Sequence, residues 1–146
     1  MQRGHTLSEL LVAVAVAAVL AAVVVPGVAW VEGRTAVADD ARSLALALRC
    51  AQARAASSGL PVVVRLCNGG RAYVCEQGAG DATTVVASGS FHSPCATNYP
   101  GATVRFPLWG WPCTLAGEPR AGNFSFAYAG ASATVVLQMG GRIRWQ

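Results

Sequence analysis

Three small constellations in this chain carry side chains capable of chemistry. The first is Glu9, which stands immediately before an uninterrupted apolar run from Leu10 to Val25. A carboxylate placed in hydrocarbon costs about 2.5–3.5 kcal/mol on insertion scales, so it calls for a purpose and a positively charged partner. The second is His92, with Ser90, Ser93 and Cys95 close by in sequence. A hydroxyl or thiol beside an imidazole is the raw material of nucleophilic catalysis, and sequence distance alone leaves such a pair open. Yet the nearest acid in sequence is Asp81, and no phosphate-binding Gly-rich loop, H-E-x-x-H or nucleophile elbow occurs. His92 therefore reads as a solvated loop histidine and the chain as no enzyme, with no catalytic residue. Without a C-x-x-C, His92 and Cys95 supply only two ligands, so neither a metal nor a cofactor is expected. The third constellation is the C-terminal Gly141-Arg142-Ile143-Arg144-Trp145-Gln146. In a strand, Arg142 and Arg144 share one face and Ile143 and Trp145 the other. Two guanidinium forks on one face suit paired hydrogen bonds to phosphate oxygens. A half-buried last strand with solvated arginines would show the same alternation, with Ile143 and Trp145 toward the core.

The elements that must position these groups follow from periodicity. As a helix, Leu10 to Val31 would be about 33 Å long, enough to cross a hydrocarbon core of about 30 Å. Beyond Trp30 charges appear, and Leu44, Leu48, Ala51 and Ala55 repeat at helical spacing while Arg42 and Arg49 fall on another face. This predicts one long helix, amphipathic from about residue 30 to 57 and ended by Ser57-Ser58-Gly59-Leu60-Pro61. Pro26 lacks an N–H, so a bend or local melting is expected near residues 22–26. Strands are predicted at 62–67, 71–76, 83–87, 103–106 and 123–128, with a turn at Asn68-Gly69-Gly70. A final hairpin, 133–139 with 142–145, turns around Gly140-Gly141, and 88–100 and 107–122 read as loops. The fold class is α+β: a long N-terminal helix, transmembrane in its first half, packed on an antiparallel β-sheet.

Composition bounds the rest. Apolar residues make up 53% of the 146 and charged residues 12%, about half the globular norm of roughly 25%, which excludes a disordered charged tail and points to a membrane segment. All 11 basic residues are arginine, as the Ala-, Gly- and Val-rich composition of a G+C-rich genome would produce, and the net charge of +4 leaves an anionic partner open.

An ordinary secretory signal also begins with a basic residue and an apolar stretch, but a carboxylate at Glu9 is poorly placed for one. Gly4-His5-Thr6-Leu7-Ser8-Glu9-Leu10 instead resembles the type III signal of type IV pilins and pseudopilins. That resemblance implies cleavage by a prepilin peptidase between Gly4 and His5 and methylation of the new amine. Counted from His5, Glu9 is the fifth residue and Pro26 the twenty-second, the family's positions for the glutamate and the kinking proline. His5 stands where the family usually has Phe, and Ser8 where it has an aliphatic residue. The implied organisation is a leader at 1–4, a transmembrane and polymerisation helix at 5–31 and a periplasmic domain at 32–146. The implied partners are the inner membrane, prepilin peptidase and other pilin subunits. Glu9 would meet the α-amine of a neighbouring subunit in low dielectric and so set the axial register.

The layout behind the helix is similar to the FimT/GspH branch of minor pilins and pseudopilins, and Gly141-Arg142-Ile143-Arg144 looks like the G-R-x-R motif with which FimT-type minor pilins bind DNA. The resemblance implies a minor pilin, held in the inner membrane by one span and then part of a type IV pilus. It also implies DNA as a partner of Gly141, Arg142 and Arg144 during natural transformation. The alternative is a GspH-like pseudopilin of a type II secretion system. A periplasmic domain also implies disulfides among Cys50, Cys67, Cys75, Cys95 and Cys113. A tight turn at 68–70 would leave Cys67 and Cys75 about 13 Å apart along the strands. Either a wider loop lets these two pair, with Cys95–Cys113 as the second bridge and Cys50 free, or the pairing is different.

Overall fold

The computed structural model describes residues 7–79 and 82–146, the side chains of 23–29, 79 and 82 excepted. One helix, α1 (Leu7–Ser58), precedes eight strands: β1 (Val62–Cys67), β2 (Ala72–Ala79), β3 (Ala82–Ser90), β4 (Cys95–Thr97), β5 (Thr103–Phe106), β6 (Gly122–Tyr128), β7 (Ala131–Leu137) and β8 (Ile143–Trp145). The helix is uninterrupted across Pro26, so the local melting expected at 22–26 does not occur. A proline removes one N–H, and the turns on either side keep their own hydrogen bonds. Past Ser58 the chain leaves the helix through Gly59 in the left-handed conformation, φ 69°.

The second half of α1 buries the stripe read from its periodicity. Leu44, Leu48, Ala51 and Ala55 are all buried, joined by Val37, Ala41 and Ala45. Each large aliphatic buried there contributes about 1.5–3 kcal/mol. The expected antiparallel sheet is present as two four-stranded sheets, ordered β3-β2-β1-β5 and β4-β6-β7-β8. Every strand pair is antiparallel. One core runs between the helix and both sheets, through Val62, Val64 and Phe106 of the first and Phe124, Phe126, Val135 and Leu137 of the second. At the start of the domain Gly33 lies so close to the β6–β7 turn that a Cβ there would stand 2.7 Å from Cβ of Ala129.

Two expectations change. The segment 88–100, read as loop, contains the end of β3 and all of β4, whose three residues pair with Phe124, Ser125 and Phe126. Three residues carry no periodicity, so only their distant partner makes them a strand. Neither of the two named disulfide pairs forms. Cys67 pairs with Ala72 and Cys75 with Val64, so the 68–70 turn is tight and the two cysteines are three ladder positions, about 10 Å, apart. Cys95 lies in the second sheet opposite Phe126, whereas Cys113 bridges to Arg105 of the first. All five cysteines are free thiols. Burial pushes the Cys75 thiol up to about 11 and the Cys95 thiol up to about 12, which keeps both protonated and unreactive near neutrality.

Candidate functional site

At the C-terminus, β8 is an edge strand held on one side by β7, with Leu137 opposite Ile143, Val136 opposite Arg144 and Val135 opposite Trp145. The turn that feeds it is closed by Gly141 N–H donating to the Gln138 carbonyl at 2.9 Å. Ile143 is buried, and Arg142 and Arg144 flank it in solvent, as alternation requires. Trp145, expected in the core, is 40% exposed; it lies past the end of the buried stripe, and the Arg42 guanidinium sits over its ring at 4.7 Å.

Three helix side chains place this strand, and only two of them, Arg42 and Arg49, were singled out from sequence, neither in this role. Arg49 donates from Nη2 to the Ile143 carbonyl at 3.1 Å, so β8 is pinned between β7 and the helix. Arg42 covers Trp145 seven residues earlier on α1, and its ion pair with Asp39, 3.6 Å and exposed, adds little. Gln52 donates from Nε2 to both the Gly110 carbonyl at 2.8 Å and the Gly141 carbonyl at 3.0 Å. Gly141 is required here on two counts. Its φ is 80°, and a Cβ would stand 2.6 Å from Gln52 Nε2 and 3.1 Å from the Gly110 carbonyl oxygen. The spacing of Arg42 and Arg49 signalled a shared helix face; nothing local signalled Gln52.

The second constellation resolves into a structural anchor. Asp40, buried on α1, accepts hydrogen bonds from His92 N–H (3.1 Å), Ser93 N–H (2.8 Å) and the Ser93 hydroxyl. Burial pushes its carboxyl up, but the bonds from Ser93 and His92 outweigh burial and hold it below its ordinary value. His92 Nδ1 lies 3.4 Å from the same carboxylate, with the ring largely in solvent. The Ser93 hydroxyl is committed to Asp40 rather than to the imidazole, so the geometry is that of a loop tied to a helix. Asp81, the acid nearest in sequence, lies outside the described residues. Asp40 was legible as an anomaly, since it precedes Leu44 by one helical repeat on the buried face. Among the described residues, no group of three or more metal-ligating side chains converges.

At the N-terminus, Gly4 and His5 lie outside the described residues, as does the side chain of Pro26. Glu9 is in the exposed first turn of α1. Leu10, Leu11, Val12, Val14, Val16, Val19 and Leu20 are all exposed on the same helix. Among the described residues, no helical segment is long and apolar enough to cross a membrane. Leu10 to Ala22, the part of the apolar run with described side chains, rises only about 20 Å.

The model of the prokaryotic N-terminal methylation motif matches residues 1–25. No curated protein matches the sequence. Among solved structures, the fold is similar to the type IV minor pilin FimU of Pseudomonas aeruginosa in two crystal forms, each 16% identical. One has a TM-score of 0.58 over 73% of this chain and 89% of FimU, the other 0.59 over 77% and 90%. It is also similar to the minor pseudopilin EpsH of the type 2 secretion system of Vibrio cholerae: 14% identity, TM-score 0.61, 76% of this chain and 96% of EpsH. The chain thus combines a prokaryotic N-terminal methylation motif with a fold similar to that of a type IV minor pilin and a minor pseudopilin.

Proposed function

We propose that this chain is a minor pilin of a type IV pilus, a structural filament or tip subunit that also binds DNA without sequence preference for uptake. In this reading residues 1–4 are a leader removed by prepilin peptidase, His5 becomes the methylated N-terminus, 5–31 anchor the subunit in the inner membrane and 32–146 form the periplasmic domain. The Gly33–Ala129 contact supports the last boundary, because it is where the domain first closes on α1. Glu9 and Pro26 serve assembly among neighbouring helices, and the subunit ends in the pilus at the cell surface. The work is binding and assembly, not catalysis.

The observation that carries the DNA reading is the pairing of Arg142 and Arg144, both exposed, on a short edge strand pinned to the helix by Arg49. Two phosphate contacts give a log–log salt slope of about −2, at roughly −0.9 per contact for duplex DNA. The test is DNA binding by the full chain in detergent at low salt. Arg142→Gln with Arg144→Gln abolishes most binding and leaves the fold intact. Arg54→Gln with Arg65→Gln removes the same charge elsewhere; an equal loss in that control would reject a localised site. The similarity to EpsH over 96% of its chain supports a second reading, a pseudopilin of a type II secretion system. Absence of DNA binding by the wild-type chain at low salt favours that one.

A further inference from the structure

The two backbone carbonyls that Gln52 holds belong to Gly141, beside Arg142, and to Gly110, the middle of Trp109-Gly110-Trp111. Trp109 is 64% exposed and Trp111 50%. Single exposed apolar residues are ordinary, but two indoles within three residues, with Leu108 and Leu115 also exposed, form a surface that does something. The loop bearing them is rigid. Gly110 N–H donates to the Pro107 carbonyl at 2.9 Å, Pro112 is buried, and Cys113 exchanges two backbone hydrogen bonds with Arg105 at 2.8 and 2.9 Å. Gly110 itself has φ 74°, and a Cβ there would press on Gln52 at 3.3 Å. The backbone segments that carry the indoles and the arginines are thus held together through a single helix residue. From residue 98 to the C-terminus there are four arginines, Arg105, Arg120, Arg142 and Arg144, against Glu118 alone.

We infer that Trp109 and Trp111 are base-stacking platforms and that, together with Arg142 and Arg144, they make one surface selective for single-stranded DNA. The inference rests on the DNA-binding reading above and adds the form of DNA. Arginines alone grip phosphate and serve duplex and single strand alike. Exposed indoles add affinity only where base faces are open, which is the property of an unpaired strand. Trp145 is not part of the platform, because Arg42 already covers its ring.

The experiment measures binding of the full chain in detergent to labelled oligothymidine and to a duplex of the same length. The variants are Trp109→Ala, Trp111→Ala, Trp109→Phe, and Arg142→Gln with Arg144→Gln. The expected result is tighter binding of the single strand by the wild type, with each tryptophan-to-alanine change weakening it about 5- to 150-fold. Duplex binding should change less than about twofold, and Trp109→Phe should keep most of the affinity, because a smaller ring still stacks. Equal affinity for the two forms, insensitive to the tryptophans but lost with the arginines, overturns the stacking inference and leaves the DNA reading standing. No binding of either form overturns both.

Discussion

The two halves of α1 are made of much the same residues and have opposite fates. Leu44 and Leu48 are fully buried, while Leu10 and Leu11, on the same helix, are each 63% exposed. The difference does not lie in apolarity. Leu44, Leu48, Ala51 and Ala55 form one stripe bordered by Arg42, Arg49 and Arg54, which leaves a single face for the sheets of the same chain. Leu10 to Val25 is apolar all round, so no single face could satisfy it, and its partners must surround it. One helix therefore has two characters: its one-sided half folds against the sheets of the same chain, and under the proposed reading its all-round apolar half serves assembly.

The sharpest way to break this comparison is a matched pair of truncations. Leu48→Ala should destabilise the domain by about 2–5 kcal/mol, by lost burial and the cavity left behind. Leu11→Ala should leave domain stability within about 0.5 kcal/mol, since an exposed residue loses little on truncation. Urea unfolding of the full chain in detergent measures both; equal losses would mean that the first half also packs on the domain.

A second pair compares the two carboxylates. Asp40→Ala strands the buried N–H of Ser93 and the part-buried N–H of His92 and should cost about 2–3 kcal/mol. Glu9→Ala should leave the subunit in the membrane with domain stability unchanged, yet reduce its incorporation into sheared pili. Normal incorporation would remove Glu9 from any register role.

The smallest expected effect is the pH dependence of Asp40. Its folded pKa lies below the ordinary 3.8, so the stability it contributes is complete above that value and is lost as pH falls through the folded value. Asp40→Asn should therefore differ from wild type most at neutral pH, with the gap closing below about pH 4. A constant gap between pH 7 and 3 would show that shape, not charge, ties the 91–93 loop to α1.

What the amino-acid order alone determined is what depends on near neighbours. The helical stripe through Leu44, Leu48 and Ala55, the stop at Gly59, the strand at 62–67 and the turn before Arg142 all follow from repeats or punctuation within a few residues. The methylation motif was readable for the same reason: it is one linear segment, matched over residues 1–25. Only the tertiary structure decided which residues surround the arginines. Gln52 reaches across 58 residues to Gly110 and 89 to Gly141, and Arg49 across 94 to Ile143. No local pattern encodes such a meeting, because the partners are fixed by how α1 crosses the two sheets. For the same reason β4 went unread, Trp145 was assigned to a core that ends before it, and Cys67 and Cys75 were offered a bridge that the strand register forbids.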